Sequence, residues 1–162
     1  THRGPGVVGA CFDMGRTYGL QAELICDGFH IHPAALRVAF SQMGEDGTVI
    51  VSDSMCAAGH KDGEYDLGGQ TVYVRDGKAL LADGTIAAST SNMYDELKNV
   101  ISYGVPMKQA VKSATINPAK SIRVDDVTGS IKTGKLADLL VLDDELNIKL
   151  VMVRGQIKVN NL

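Results

Sequence analysis

The segment LQAELICDGFHIHPAALRVAFSQMGEDGTVIVSD, residues 20–53, indicates the fold class of this chain. Residues 20–26 are apolar on both sides of one Glu, which predicts a buried strand that ends in a polar loop. Pro33 suits the first position of a helix, apolar residues then recur three and four apart, and Gly44 can supply a left-handed stop. Residues 48–51 form the next buried strand. This order predicts a parallel βαβ unit and therefore an α/β fold.

Polar side chains follow both predicted strands. Asp27 and His30 come after the first strand, and Asp53 comes after the second. In parallel α/β architectures, functional groups gather beyond the carboxyl ends of the strands, so these three residues are candidates for chemistry. Asp53 suits either proton transfer or capping of its own loop through backbone N–H groups. Asp27 has the same two interpretations, and the Gly that follows it favours capping.

His30 and His32 are two residues apart, so both rings point to one side of an extended chain and could together hold zinc. A zinc site needs three or four ligands, however, and His60 is the only later histidine. Substrate contact by His30, with helix-start packing by His32, is the favoured interpretation.

The middle of the chain predicts a β excursion. Asp76-Gly77 accepts the positive φ angles of a tight turn and lies between two strand-like segments, residues 71–74 and 78–81. A second turn at Asp83-Gly84 leads into residues 85–89, whose small side chains let backbone approach a ligand or a neighbouring segment. Close chain packing is the favoured reading of that stretch.

Helices and a separate β module are predicted for the remainder. Helical spacing covers residues 93–103 and 107–115, and Asn117 is predicted to cap a further short turn. Strand-like segments follow at residues 137–142, 148–153 and 156–159.

The composition is that of a globular protein, with 44% hydrophobic residues, 22% charged residues and a formal net charge of -3. The 16 Lys and Arg and the 19 Asp and Glu are spread along the chain without a basic stripe, so no nucleic-acid partner is expected. No apolar stretch approaches the ~20 residues of a bilayer span, so no membrane contact is expected either. The chain is too short for a complete eight-stranded α/β barrel.

Three cysteines, an odd number without CxxC spacing, lie in apolar or small-residue settings, which is typical of reduced and buried thiols and favours a cytoplasmic protein. They are Cys11, Cys26 and Cys56. The chain begins with Thr1 and shows no charged-then-apolar leader, so we expect it to be part of a longer chain. Arg3 lies in a Gly and Pro turn, where its guanidinium could bind a phosphate or carboxylate or simply be solvated.

Several strings, in order and spacing as well as content, resemble N-acetylglucosamine-6-phosphate deacetylase, a family of the amidohydrolase superfamily. They are HRGPGVVGA (2–10), ELICDGFH (23–30), VSDSM (51–55), GTIAAS (84–89), ATINPA (114–119) and the segment from GSI to GKLAD (129–138). The last string is common to many amidohydrolases. The resemblance spans nearly the whole chain.

This resemblance implies a specific fold. Residues 1–122 would be the carboxyl-terminal part of a metal-bearing (β/α)8 barrel, with residues 20–26 and 48–51 as its seventh and eighth strands. Residues 123–162 would be the carboxyl-terminal strands of a small β-sandwich. The family's metal-binding Glu and two His lie upstream, so the resemblance implies a divalent metal, zinc or iron, in the complete protein and none in this chain alone.

The resemblance also implies roles for single residues. Asp53 resembles the catalytic acid and base, His30 the ring that contacts substrate, and Arg3 a phosphate ligand offered to the neighbouring subunit of a homodimer. Further positions match substrate-contacting stretches, namely Asp27, Ile86, Ala87 and Ala88. Gly4 and Ala88 depart from the family pattern, which usually has Glu and Gly at these positions.

The implied reaction converts N-acetylglucosamine-6-phosphate to glucosamine-6-phosphate and acetate, with Asp53 taking and returning a proton. This chain alone is expected to be inactive. Another amidohydrolase, such as a dihydroorotase-like cyclic amidase, is an alternative that shares Asp53 and residues 134–138 but does not require Arg3 or residues 27–30. A non-catalytic binding or assembly fragment is the other alternative.

Overall fold

The structure is a computed structural model that describes residues 3–162. Its internal contacts divide the chain into two compact units, Thr1–Ala114 and Thr115–Leu162. The division precedes the predicted boundary between residues 122 and 123, because the short helix Ile116–Ser121 belongs to the second unit.

The first element is a helix that the sequence patterns did not predict, α1 (Gly6–Tyr18). Among residues 3–162, no side chain caps its first turn, and none of its own residues is fully buried. Val7 and Tyr18 are 81% and 77% exposed. Gly19 ends the helix in the left-handed region, at a φ of 70°. Phe12 is the α1 side chain that packs, partly buried, against the core of the first unit.

A parallel βαβ unit follows, made of β1 (Ala22–Ile25), α2 (Pro33–Met43) and β2 (Thr48–Val51). The two strands pair in parallel along their whole length, so their carboxyl ends meet at one edge. Pro33 opens α2, and Gly44 ends it at a φ of 72°. The structure thus confirms the elements and the parallel pairing predicted from residues 20–53.

Three helices pack against this pair of strands: α2, α3 (Met93–Ser102) and α4 (Met107–Ala114). The largest fully buried apolar side chains, Phe40 and Leu36, lie on one face of α2. Burying one such side chain stabilises the fold by about 1.5–3 kcal/mol. The helices predicted over residues 93–103 and 107–115 are confirmed, and both lie against the sheet.

Buried polar side chains of α4 fix this packing. Gln109 Nε2 donates to the carbonyl oxygens of Phe40 (2.8 Å) and Gly44 (2.9 Å), which satisfies backbone acceptors at the end of α2. The hydroxyl groups of Ser113 and Thr48 lie 2.6 Å apart and join α4 to β2. The register of α4 is therefore set by hydrogen bonds as well as by apolar burial.

The β excursion is a four-stranded antiparallel sheet of β3 (Gly63–Leu67), β4 (Gln70–Arg75), β5 (Lys78–Leu80) and β6 (Ile86–Ser89), paired in that order. Asp76 and Gly77 have φ angles of 50° and 71°, as the predicted hairpin turn requires. The sequence patterns did not predict β3. A second core lies at this sheet and contains Met55, Ala57, Val72, Val74, Ala79 and Ala88.

The second unit contains α5 (Ile116–Ser121) and an antiparallel sheet of β7 (Leu139–Leu142), β8 (Ile148–Val153) and β9 (Gln156–Asn160). The predicted β module is confirmed. The predicted cap at Asn117 is wrong, because Thr115 occupies the cap position and Asn117 is buried inside the helix.

The GKLAD string has a structural explanation in this unit. Lys135 Nζ donates to the carbonyl oxygens of Asp125 and Thr128 and to Ser130 Oγ. Asp138 Oδ1 accepts from the backbone N–H of Arg154 at 2.8 Å, in the turn between β8 and β9. These two side chains thus hold the backbone of residues 125–128 and of the β8–β9 turn by hydrogen bonds.

All three cysteines are free, but only Cys26 is buried. Cys11 is half-buried and Cys56 is exposed, so the expectation of three buried thiols is wrong for these two. Across residues 3–162, no helix is both long and apolar enough to span a bilayer.

Candidate functional site

The loop after β1 is organised by Asp27. Its Oδ1 accepts from the backbone N–H groups of Phe29 (2.8 Å) and His30 (2.9 Å). Gly28 lies between Asp27 and Phe29 at a φ of 76°, and a Cβ there would lie 2.4 Å from the hydroxyl oxygen of Tyr103. The turn therefore requires glycine both for its backbone conformation and for space. The capping interpretation of Asp27 is confirmed.

The same carboxylate orients the ring of His30. Asp27 Oδ2 lies 2.8 Å from His30 Nδ1, and both side chains are largely buried, at 14% and 15% exposure. Burial alone would raise the pKa of Asp27, but the hydrogen bonds from His30 and Phe29 outweigh it and lower the pKa. An ionised carboxylate only accepts, so His30 Nδ1 carries the hydrogen. His30 Nε2 is then left for another partner.

Asp53 lies on the other side of that ring. His30 Nε2 is 3.9 Å from Asp53 Oδ2, and the Asp53 side chain is 51% exposed. Asp53 has a φ of 51°, which is uncommon for a residue with a side chain. Among residues 3–162, no backbone N–H donates to its carboxylate, so the loop-capping interpretation fails for Asp53. Its carboxylate is accessible, as proton transfer requires.

The backbone around Asp53 is held by the end of β6. Ser89 N–H donates to the carbonyl oxygen of Asp53 (2.9 Å), and Met55 N–H donates to that of Ser89 (3.0 Å). Ser54 and Ser89 form an isolated parallel bridge. Ser54 Oγ also donates to the carbonyl oxygen of Ser91. The unusual conformation of Asp53 is thus supported from a second segment of chain.

The other predicted substrate-contact positions occupy different environments. Ile86 is partly exposed on β6, Ala87 is half-buried, and Ala88 is buried in the second core. The Ala88 side chain therefore faces packing, and only its backbone could meet a ligand. Arg3 is exposed in the turn before α1 and forms no ion pair with any described residue. The structure brings Asp27, His30 and Asp53 together but does not add Arg3 to them.

His32 has the helix-start role predicted for it. Its Nδ1 accepts from the backbone N–H of Ala34 at 3.2 Å, which caps α2. His30 and His32 thus use their Nδ1 atoms for different partners. Within the described part of the chain, no three His, Cys, Asp or Glu side chains group closely enough to hold a metal ion. A metal does not fit these residues as a complete ligand set.

Glu96 is a site residue that sequence reasoning missed. It lies in the first turn of α3, fully buried, and its Oε1 accepts from Ser91 Oγ. Burial and the nearby Asp27 carboxylate raise the pKa of Glu96, and its hydrogen bonds only partly offset this. Leu97 and Val100 are buried on the same helix. An acid among the apolar, core-facing positions of a predicted helix is the sequence signal that could have identified Glu96.

Comparison with known proteins gives consistent matches. The sequence model of the amidohydrolase family matches residues 27–158. The chain is 37% identical to N-acetylglucosamine-6-phosphate deacetylase of Bacillus subtilis, over 96% of this chain and 39% of that protein. It is 36% identical to N-acetylgalactosamine-6-phosphate deacetylase of Escherichia coli O157:H7, over 96% of this chain and 41% of that protein.

A relative of nearly the same length also matches. It is an Escherichia coli K12 protein, named provisionally as an N-acetylgalactosamine-6-phosphate deacetylase, with 36% identity over 96% of this chain and 92% of the relative. The chain nevertheless spans only 39% and 41% of the Bacillus subtilis and O157:H7 relatives.

Solved structures agree. The Mycobacterium smegmatis N-acetylglucosamine-6-phosphate deacetylase, a mutant in complex with N-acetyl-D-glucosamine-6-phosphate, has a TM-score of 0.89 at 32% identity, over 99% of this chain and 42% of that one. The Thermotoga maritima deacetylase has a TM-score of 0.88 at 34% identity, over 97% and 42%.

Proposed function

This chain belongs to the amidohydrolase family, and we propose that the enzyme containing it deacetylates N-acetylglucosamine-6-phosphate to glucosamine-6-phosphate and acetate. The observation that carries the proposal is the row of Asp27, His30 and Asp53 at the carboxyl edge of the parallel strands. The names of relatives that are 33–37% identical support the substrate class. Because the chain spans 39% of the Bacillus subtilis relative, the activity is proposed for the whole protein.

In this proposal, residues 1–122 are the carboxyl-terminal part of a (β/α)8 barrel and residues 123–162 are the carboxyl-terminal strands of a β-sandwich. The parallel β1–β2 pair and the separate antiparallel β7–β9 sheet support that assignment. We also propose a cytoplasmic location, which agrees with three free cysteines.

Asp53 moves the proton in the proposed reaction. Its accessible carboxylate accepts a proton from the attacking water and returns it to the nitrogen of the departing amine. The water oxygen bonds to the acetyl carbonyl carbon, the acetamide C–N bond breaks, and the products are acetate and the free amine. The exposure of the carboxylate and its freedom from capping bonds support this role.

His30 orients the substrate beside Asp53. Its Nδ1–H is held by Asp27, which fixes the ring plane and directs Nε2 toward the same space that the Asp53 carboxylate faces. A polar group of the substrate bound at Nε2 would therefore lie within reach of Asp53. The backbone of Ile86, Ala87 and Ala88 would contribute further substrate contacts from β6.

Two parts of the proposal depend on residues outside this site. A divalent metal, zinc or iron, would supply Lewis-acid chemistry when bound, and its ligands would come from chain beyond these 162 residues. Arg3 would bind the substrate phosphate in a neighbouring subunit of a homodimer. Its exposure and its lack of an ion pair within residues 3–162 are consistent with a free guanidinium for that role.

The test is acetate release by the enzyme that contains this chain, with zinc, iron or manganese supplied. N-acetylglucosamine-6-phosphate is expected to be cleaved, and unphosphorylated N-acetylglucosamine is the matched control. Opening of dihydroorotate without acetate release would favour the cyclic amidase. Turnover of neither compound would favour a non-catalytic binding or assembly fragment.

The C4 epimer is a second candidate substrate, because the relative that the chain covers over 92% of its length carries the galactosamine name. The same assay with N-acetylgalactosamine-6-phosphate decides between the two. The ratio of kcat/KM for the two sugar phosphates identifies the preferred substrate.

A further inference from the structure

Glu96 is a buried acid that the proposed reaction does not use. Its side chain is fully buried, although it is a charged residue type. Oε1 accepts from Ser91 Oγ, and Oε2 has no hydrogen-bond partner among the described residues. A carboxyl group in such a position needs an explanation, because a buried polar group without a partner destabilises the fold.

A chain of hydrogen bonds leads from Glu96 to the backbone of Asp53. Ser91 Oγ lies 2.7 Å from Ser89 Oγ, which in turn accepts from the backbone N–H of Ser91 at 2.9 Å. Ser89 N–H donates to the carbonyl oxygen of Asp53. Ser54 Oγ donates to the carbonyl oxygen of Ser91. Glu96 therefore anchors the segment that holds both sides of the Asp53 loop.

Titratable groups from the neighbouring elements surround Glu96. Cys26, Asp27 and His30 lie in the loop after β1, and Tyr103 ends α3. Burial, Glu96 and Asp27 together raise the pKa of Cys26 to about 12, so its thiol carries no charge. Burial and the same acidic neighbours raise the pKa of Tyr103. Asp27 therefore raises the pKa of Glu96, whereas His30 lowers it.

We propose that Glu96 is a positioning residue for Asp53: Glu96 holds Ser91 and, through Ser91 and Ser89, the backbone of the Asp53 loop. This inference rests on the proposed function only for its effect on catalysis. A neutral acid keeps the hydrogen bond to Ser91 without placing a second negative charge beside Asp27, and a buried charge without a paired cation would be costly. Glutamine has the same shape and should substitute for it, whereas an apolar residue should not.

The structural part can be tested without any turnover. In the enzyme labelled with 13C at glutamate Cδ, the Glu96 resonance is identified by its loss in Glu96→Gln. We expect it to titrate above the ordinary value of 4.5 for glutamate. Amide resonances of Asp53 and Ser89 should shift in Glu96→Leu and in the milder Ser91→Ala, and should stay near wild type in Glu96→Gln. Ordinary titration, or unmoved amides in Ser91→Ala, would overturn the proposal.

The catalytic part compares kcat with KM. Glu96→Leu and Ser91→Ala should each lower kcat by roughly 10-fold to 10²-fold with little change in KM, since a misplaced acid–base group affects the chemical step. Glu96→Gln should restore kcat to near wild type. Asp95→Asn, an exposed acid in the same helical turn, is the matched control and should leave kcat unchanged.

The two proposals fail in different ways. A wild-type enzyme that releases no acetate contradicts the proposed function, and the NMR arm still decides the Glu96 network. An active enzyme in which Glu96→Leu folds with wild-type kcat, or in which Glu96→Gln is as impaired as Glu96→Leu, contradicts the positioning role.

Discussion

The carboxyl ends of β1 and β2 carry one aspartate each, and the two are used in opposite ways. Asp27 is largely buried and makes three hydrogen bonds within its own loop. Asp53 is 51% exposed, and its carboxylate makes no hydrogen bond to its own loop within the described residues. At one end, the side chain holds the backbone. At the other, the backbone is held by Ser89, and the side chain is left accessible. The same residue type thus holds its own loop at one strand end and stays accessible for the proposed proton transfer at the other.

Asp53→Asn tests the chemical side of this comparison and should have the largest effect. The substitution keeps the shape and removes the proton acceptor, so kcat should fall by roughly 10²-fold to 10⁴-fold. The melting temperature should stay near wild type because the carboxylate caps nothing. Both quantities are measured on the same preparation. A variant that retains most of its kcat would falsify the assignment.

Asp27→Ala tests the supporting side. Removal of the acceptor leaves the N–H groups of Phe29 and His30 without their partner, so the free energy of unfolding should fall by about 1–3 kcal/mol. Chemical denaturation measures this loss. Asp53→Asn is the matched control, because asparagine tolerates the left-handed backbone at this position, and it should cost much less stability. Equal losses in the two variants would remove the distinction between the two strand ends.

Arg3→Lys examines a residue that belongs to neither strand end. A guanidinium binds phosphate through two parallel hydrogen bonds that an ammonium cannot reproduce. We expect KM for the phosphorylated sugar to rise on the order of tenfold, with little change for the unphosphorylated sugar. Steady-state kinetics with both sugars measure this. Equal effects on the two would exclude a phosphate role.

Acid unfolding sharpens the comparison further. The pKa of Asp27 is lowered in the folded state, so its contribution to stability is present above the ordinary value of 3.8 and is lost as pH falls through the folded value. Below pH 3.8, wild type should therefore lose stability more steeply than Asp27→Asn. Denaturation midpoints across that range provide the measurement, and parallel curves would contradict the role of the ionised form.

Zinc titration of this 162-residue chain should produce the smallest effect. His30 Nδ1 is engaged by Asp27 and His32 Nδ1 caps α2, so the pair does not form a ligand set by itself. Calorimetry should detect no micromolar site. Tight binding that disappears in His30→Ala or His32→Ala would show that the two rings hold a metal in their own right.

The sequence correctly predicted those parts of the site that follow from the strand pattern and from the parallel order of the strands. Asp27, His30 and Asp53 could be grouped because parallel strands end at the same edge, and that depends only on the apolar runs before them. The Gly after Asp27 indicated that this aspartate caps its loop, but the sequence left the role of Asp53 open. That role depends on the left-handed backbone at Asp53 and on Ser89 from a distant segment.

The missed elements have local reasons. Helix α1 contains Gly9 and Gly15 and lacks a capping side chain, so its sequence signals are weak. Strand β3 is mostly exposed and is defined by its pairing with β4 rather than by its own apolar pattern. Glu96 was missed because an acid in a helix is ordinarily expected to be solvated, whereas Glu96 is buried and accepts a hydrogen bond from Ser91 Oγ.

The bridge between Ser54 and Ser89 has a consequence for how the enzyme can vary. Ser54 follows β2 of the parallel sheet, Ser89 ends β6, and the bridge joins the two, so residues 55–88 form an inserted module with closed ends. Changing the length of such an insertion costs little loop-closure entropy, about 0.6 kcal/mol for each doubling. Its outer turns at residues 68–69 and 83–84 can therefore be lengthened, shortened or exchanged as a cassette. The geometry of Asp53 depends on the junction and not on what the junction encloses.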